Sequence, residues 1–184
     1  MISREQWIDE GLVVLSEQGT TGLRIDRIAG RLRLTKGSFH HHFGGIEDYR
    51  QAILDRYEQD SLDAVGRALA AVAGLPPRDA LTRLPDHFSF DPRLEAAVRG
   101  WAFADPAART VQERVDTARL EALTPLWRDV LPDPDQARVA ALVPHLLMIG
   151  GSTALPTPSQ ADLRAVFALL ATLVPAVETS VQWT

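Results

Sequence analysis

Apolar positions recur at helical spacing along almost the whole chain. Ile8, Leu12 and Leu15 fall at i, i+4 and i+7, with Ser3 ahead as an N-cap and Gly19 behind, which predicts a helix over 4–18. Tyr49, Ile53 and Tyr57, then Leu62, Val65, Leu69 and Val72, mark a much longer helix over 47–73 that Gly74 closes. At about 1.5 Å per residue it is roughly 40 Å long, enough to run from a small head into a larger body. Leu163, Val166, Phe167, Leu170, Leu173, Val174 and Val177 make a wide apolar stripe on a last helix over 160–180. The same reading places helices near 25–32, 36–42, 78–88, 93–104, 107–131 and 135–154. No window alternates apolar and polar β-branched residues, and Asn is absent, so hairpin signals are poor and the fold class is all-α. All 12 prolines lie at or beyond Pro76 and punctuate connections, at Pro76-Pro77, Pro85, Pro92, Pro106, Pro132/Pro134 and Pro156/Pro158. No repeat or low-complexity tract is present.

The stretch from 25 to 43 is built differently, as two short helices and a tight turn. Ile25, Ile28 and Leu32 share one face; Thr35 is a natural N-cap for the second helix, KGSFHHHF. Phe39 and Phe43, at i and i+4, face inward, and a helix this short holds only if they pack on the helices before it. Lys36, Ser38, His40 and His41 then point to other faces. That pattern is a helix-turn-helix, whose second helix enters a major groove by its N-terminal end. Lys36, at the first helical position, reaches a guanine O6/N7 edge or a phosphate, Gly37 allows close backbone approach, and Ser38 bonds a base or a phosphate. Histidines 40 to 42 donate to phosphates, and His41 is placed to touch a base edge. Three consecutive helical residues diverge by about 100° each, so the triplet does not converge on one metal ion.

Charge first argues against a nucleic-acid partner and then for one. The 184-residue chain carries a net −5. Between 24 and 43, however, Arg24, Arg27, Arg31, Arg33 and Lys36 stand against Asp26 alone, a local +4 that leaves −9 elsewhere. Lys36 is the only lysine in the chain. No cysteine is present, which excludes disulfides, thiolate chemistry and Cys-based zinc sites. The N-terminal stretch has scattered charges and no signal-like apolar run. The uncharged stretch between Arg138 and Asp162 is broken by Pro144, Gly150, Gly151, Pro156 and Pro158, so no membrane span is expected and the location is cytoplasmic. Nothing forms a nucleophile–base pair, a phosphate loop or a cofactor motif, so no enzyme and no cofactor are expected.

Residues 22–54 resemble the DNA-binding region of the TetR family of bacterial transcriptional regulators. The resemblance lies in Ile28-Ala29, Leu32 and Leu34, Thr35-Lys36-Gly37-Ser38-Phe39, His42-Phe43 and the acidic start of the next helix. It implies a DNA-binding head over 1–45, and a helical effector-binding and dimerisation body over 46–184. Three positions depart from the family pattern. His40 stands where a phosphate-contacting Tyr is usual. Arg33 stands where Gly is frequent, a substitution that costs about 1 kcal/mol if the position is left-handed. Ile46 stands where Lys often makes a phosphate contact, and Arg24 is placed to compensate.

For the body, the resemblance implies a ligand cavity among the central helices. The candidates to line it are His87, Phe88, Trp101, Phe103, Trp127, His145 and Met148, the two histidines because a polar group in an apolar setting needs a partner. Ala137, Ala140, Ala141, Leu147 and Gly151 on 135–154, with the stripe on 160–180, suit a homodimer interface. The expected function is a TetR-like repressor released from a palindromic double-stranded operator by a small-molecule effector. The alternative is a helix-turn-helix regulator controlled by a protein partner.

Overall fold

The computed structural model describes residues 3–87 and 91–172, and every regular element among them is a helix. These are α1 (Arg4–Gln18), α2 (Ile25–Arg31), α3 (Lys36–Phe39), α4 (Ile46–Val72), α5 (Pro77–His87), α6 (Pro92–Ala102), α7 (Pro106–Arg128), α8 (Pro134–Thr153) and α9 (Gln160–Thr172). A single 3-10 turn at Thr20–Gly22 joins α1 to α2. Prolines stand at the first position of α5, α6, α7 and α8, where the missing N–H would have no intrahelical acceptor. Pro85, expected in a connection, lies inside α5, as Pro144 lies inside α8. The expected stripe residues Leu173, Val174 and Val177, and also Phe88 and Phe90, fall outside the described residues.

The chain divides into two compact units. Met1–Asp63 and Phe90–Thr117 form one, and Ala64–Ser89 and Ala118–Thr184 form the other. In the first, α1 starts on a capping box: Gln6 N donates to Ser3 Oγ (3.3 Å) and Ser3 N donates to Gln6 Oε1 (2.9 Å). Gly19, at φ 66°, ends it in a backbone region that side chains disfavour. The core joins Trp7, Val14, Leu15, Ile28, Phe39, Phe43, Tyr49, Ile53 and Val98, all buried. Phe39 is its hub, with ring centroids 5.4 Å from Trp7, 5.1 Å from Phe43 and 5.4 Å from Tyr49. Tyr49 donates its hydroxyl proton to Trp7 O at 2.5 Å, and burial with the nearby Glu10 charge pushes that phenol well up. Gly11 is the point of closest approach: a Cβ there would collide with Tyr49 Oη and Ile53 Cδ1.

A buried polar network ties α4, α6 and α7 together within the same unit. Tyr57 Oη donates to Glu95 Oε2 (2.7 Å) and lies 3.1 Å from Gln112 Oε1. Arg99 reaches Glu95 Oε1 at 2.7 Å and grips Asp116 through two bonds of 2.8 and 2.6 Å. Burial alone would lower the Arg99 pKa, but Asp116 and Glu95 outweigh it and hold the guanidinium charged. Periodicity reads these residues as ordinary helix faces; the network is a finding of the structure.

The second unit has a core of small residues, including Ala64, Ala68, Val72, Ala80, Val130, Ala137 and Ala141. Gly151 accepts Leu163 of α9 so closely that an added Cβ would meet Leu163 Cδ2 at 2.8 Å. This corrects the expected dimer residues: Ala137, Ala141 and Gly151 are buried in the chain's own packing. The large apolar side chains that α8 leaves in the open are Val139, Val143 and Leu146, at i, i+4 and i+7, and on α9 Val166 and Leu169 are exposed. No described helix is long and apolar enough to cross a membrane.

Candidate nucleic-acid interface

Residues 24 to 43 adopt the expected helix-turn-helix, and the turn itself has a definite geometry. Leu34 N donates to Ala29 O (2.8 Å) and Arg33 N to Gly30 O (3.1 Å), the paired bonds of a Schellman motif closing α2. The residue between them, Arg33, sits at φ 57°, the only positive φ at a non-glycine among the described residues. The left-handed conformation that made glycine the expected residue is therefore present, and an arginine occupies it. Thr35 then caps α3, its Oγ1 accepting from Ser38 N at 3.3 Å.

α3 is shorter than expected. It ends at Phe39, because His42 N and Phe43 N both donate back to Phe39 O (2.9 and 3.1 Å) and fold the chain over. Phe43 thereby returns to Phe39, and the three histidines occupy the turn rather than a third helical coil. His40 packs edge-on to Phe39 and His42 lies near Phe43, with centroids 5.4 and 6.4 Å apart. Lys36, Gly37, His40 and His41 are exposed, and Ser38 and His42 half-buried. A Cβ on Gly37 would meet only Thr35 Oγ1, at 3.7 Å, so nothing within the chain requires a glycine there.

The structure redraws the basic island. Arg31 is neutralised from α1, paired with Glu10 and, at 2.7 Å, with Glu17. The bond to Arg31 holds the Glu17 carboxyl below its ordinary range. Arg24, at the N-cap of α2, pairs with Asp26 at 3.3 Å; slight burial opposes ionisation of Asp26, and Arg24 overcomes it. Arg27 donates to the neutral Gln18 and keeps its charge. Arg33 and Lys36 have no carboxylate partner among the described residues. Arg4, missed in the sequence because it lies 39 positions earlier, places its guanidinium 5.0 Å from the centre of the Phe43 ring, beside the histidine turn. Ile46, where a lysine was expected by resemblance, is half-buried against the aromatic core.

The body candidates are not all placed alike. Trp101 is in the core of the first unit, and Trp127, His145 and Met148 belong to the second. His145 is buried on α8, and the half-buried Trp127 has an indole N–H with no acceptor among the described residues. Phe103 is corrected: it is 85% exposed in the turn after α6. His87 ends α5 exposed to solvent, so the expected apolar setting is absent there, and Phe88 lies outside the described residues. No group of three metal-ligating side chains is assembled among the described residues.

The sequence profile of bacterial regulatory proteins of the tetR family matches residues 8–53, which span α1 to the first part of α4. No curated protein matches the chain. Among solved structures, the fold is similar to that of reduced NemR from E. coli (16% identity, 96% of this chain and 99% of that one, TM-score 0.76). It is also similar to a transcriptional regulator of Saccharomonospora viridis in complex with choline (16%, 92% and 93%, 0.73). A third is FadR of Bacillus subtilis in complex with stearoyl-CoA (14%, 94% and 97%, 0.67). The head thus matches the tetR-family profile over residues 8–53, and the chain as a whole has the fold of these solved regulators.

Proposed function

We propose that the chain is a dimeric repressor whose heads, residues 1–45, bind a palindromic operator, and whose bodies, 46–184, bind a small-molecule effector that releases it. The observation that carries the operator reading is Arg33. A side chain at φ 57° costs about 1–2 kcal/mol over the right-handed region. A strained residue is retained where its side chain serves something else, and here that is a cation beside unpaired Lys36. The unfilled space over Gly37 supports the same reading, since it leaves the backbone open to a close partner.

Arg33→Gly is therefore expected to move two quantities in opposite directions. Relief of strain, less the greater flexibility of unfolded glycine, raises stability by about 0.5–1 kcal/mol in urea titrations. Loss of the cation weakens duplex binding and reduces the salt slope by about 0.9. Equal or lower stability with unchanged DNA affinity would remove Arg33 from the interface. Lys36→Ala tests the recognition helix itself. Measured by anisotropy on an operator duplex, it should lose about 1–3 kcal/mol if the lysine reads a base edge. Unchanged affinity would refute that role.

Two heads are needed because one such head covers too little DNA for specificity, and a two-fold pair meets successive major grooves. Val139, Val143 and Leu146 with Val166 supply an apolar face for a second copy of the chain, within the segments 135–154 and 160–180 expected from sequence. The structures with choline and with stearoyl-CoA belong to proteins of this fold that hold chemically unlike small molecules. The unsatisfied indole of Trp127 supports an effector bearing a hydrogen-bond acceptor. An effector shifts operator affinity only as far as it prefers the released arrangement of the dimer.

A further inference from the structure

We infer that operator binding by this protein is coupled to proton uptake through the turn His40–His42, so that affinity rises as pH falls through neutrality. The inference rests on the operator-binding reading and names a regulation of the same surface. Of the five histidines, three are consecutive, and the turn after α3 sets them beside the recognition helix, with His40 and His41 exposed. The fixed charge there is small. Arg31 is cancelled by Glu10 and Glu17, and Arg24 is held by Asp26, which leaves Arg27, Arg33 and Lys36, with Arg4 over the Phe43 ring. Protonating even two imidazoles is thus a large fractional change in the charge that meets DNA.

The surroundings leave that change available. None of the three histidines is within ion-pair distance of a carboxylate among the described residues. The acidic groups on the elements packed round the turn are engaged elsewhere. Glu47 of α4 pairs with Arg50 at 2.7 Å, and Asp48 of α4 accepts Gly44 N–H at 2.8 Å. On α1, Glu5 and Asp9 pair with Arg56, and Glu10 and Glu17 hold Arg31. Asp26 of α2 faces Arg24, and the basic groups of the same elements are those named above.

An imidazole gains its second proton between about pH 5 and 8, and an anionic phosphate brought beside it favours the charged form. The sign follows from linkage. Bound protein holds more protons than free protein, so the added affinity is complete below the free-state titration and is lost as pH rises through that of the complex. Each histidine so coupled changes log affinity by at most about one per pH unit.

The test measures anisotropy of a labelled random-sequence duplex, whose binding rests on phosphate contacts, at pH 6 and pH 8 over a range of salt. The expected result is at least about 10-fold tighter binding at pH 6. The salt slope should also steepen by roughly 0.9 for each imidazole that is charged at a phosphate. His40→Gln with His41→Gln alters two exposed side chains and should flatten both dependences without lowering the melting temperature. His40→Arg with His41→Arg should hold the tight binding up to pH 8. Equal affinity and slope at the two pH values, or an undiminished pH dependence in the glutamine pair, overturns the inference while operator binding stands. Binding of no duplex at either pH overturns the operator reading, and this inference with it.

Discussion

Phe39→Ala is expected to abolish operator binding and to destabilise the head by about 3–5 kcal/mol, the usual range for removing a buried phenyl ring. Phe39 is fully buried, and it is the only buried residue of α3. Its ring touches Trp7 from α1, Tyr49 from α4 and Phe43 from the following turn. A four-residue helix has no stability of its own, so the packing of this one side chain fixes both the position and the existence of α3. Against a total stability of about 5–15 kcal/mol, the loss is a large share. Phe39→Leu fills most of the space and should cost under about 1.5 kcal/mol, with duplex binding retained. Urea unfolding followed by tryptophan fluorescence measures the first effect, and anisotropy in native buffer the second. An unchanged unfolding midpoint for Phe39→Ala would contradict the packing described here.

Arg99→Met is expected to cost a similar amount, about 3–5 kcal/mol, for an electrostatic reason. Arg99 is a cation of the buried network, bonded to Glu95 on its own helix and to Asp116 on α7. The Glu95 side chain is only 3% exposed. Removing the guanidinium takes a cation away from a carboxylate in a low-dielectric setting, where the Tyr57 hydroxyl bond that remains supplies no opposite charge, and that desolvation outweighs the lost bonds. A buried carboxyl that has lost a neighbouring cation binds a proton more readily than it did beside that cation. The variant should therefore regain stability as pH falls, and lose it as pH rises through the carboxyl's folded-state titration. Adding Glu95→Gln removes the charge and should recover part of the loss, so the double variant is more stable than the sum of single effects predicts. Strict additivity would mean that the two side chains do not interact.

The helical architecture and the caps were legible in the sequence because they depend on neighbours in the chain. Ser3, Gly19 and Thr35 do what their positions imply, since capping is a matter of three or four residues. The left-handed turn was legible only as a conditional: whether Arg33 is strained depends on how α2 ends. The electrostatics of the interface were less legible. Arg31 meets Glu10 and Glu17 across 21 and 14 positions, and Arg4 reaches Phe43 across 39, by helix-packing angles that periodicity does not specify. The same blindness misassigned Ala137 and Ala141. Small apolar residues suit a helix contact within a chain as well as between chains, and only the packing of this chain reveals which face of α8 remains uncovered.

Operator recognition by α3 is tested by a fragment selection. Purified protein is mixed with sheared bacterial DNA at near-physiological salt, and the retained fragments are sequenced. Enrichment of one inverted-repeat site whose half-sites are spaced by about one helical turn, lost with Lys36→Ala, is the expected result. Retention of no sequence above background, with Lys36→Ala indistinguishable from the unaltered chain, would contradict it.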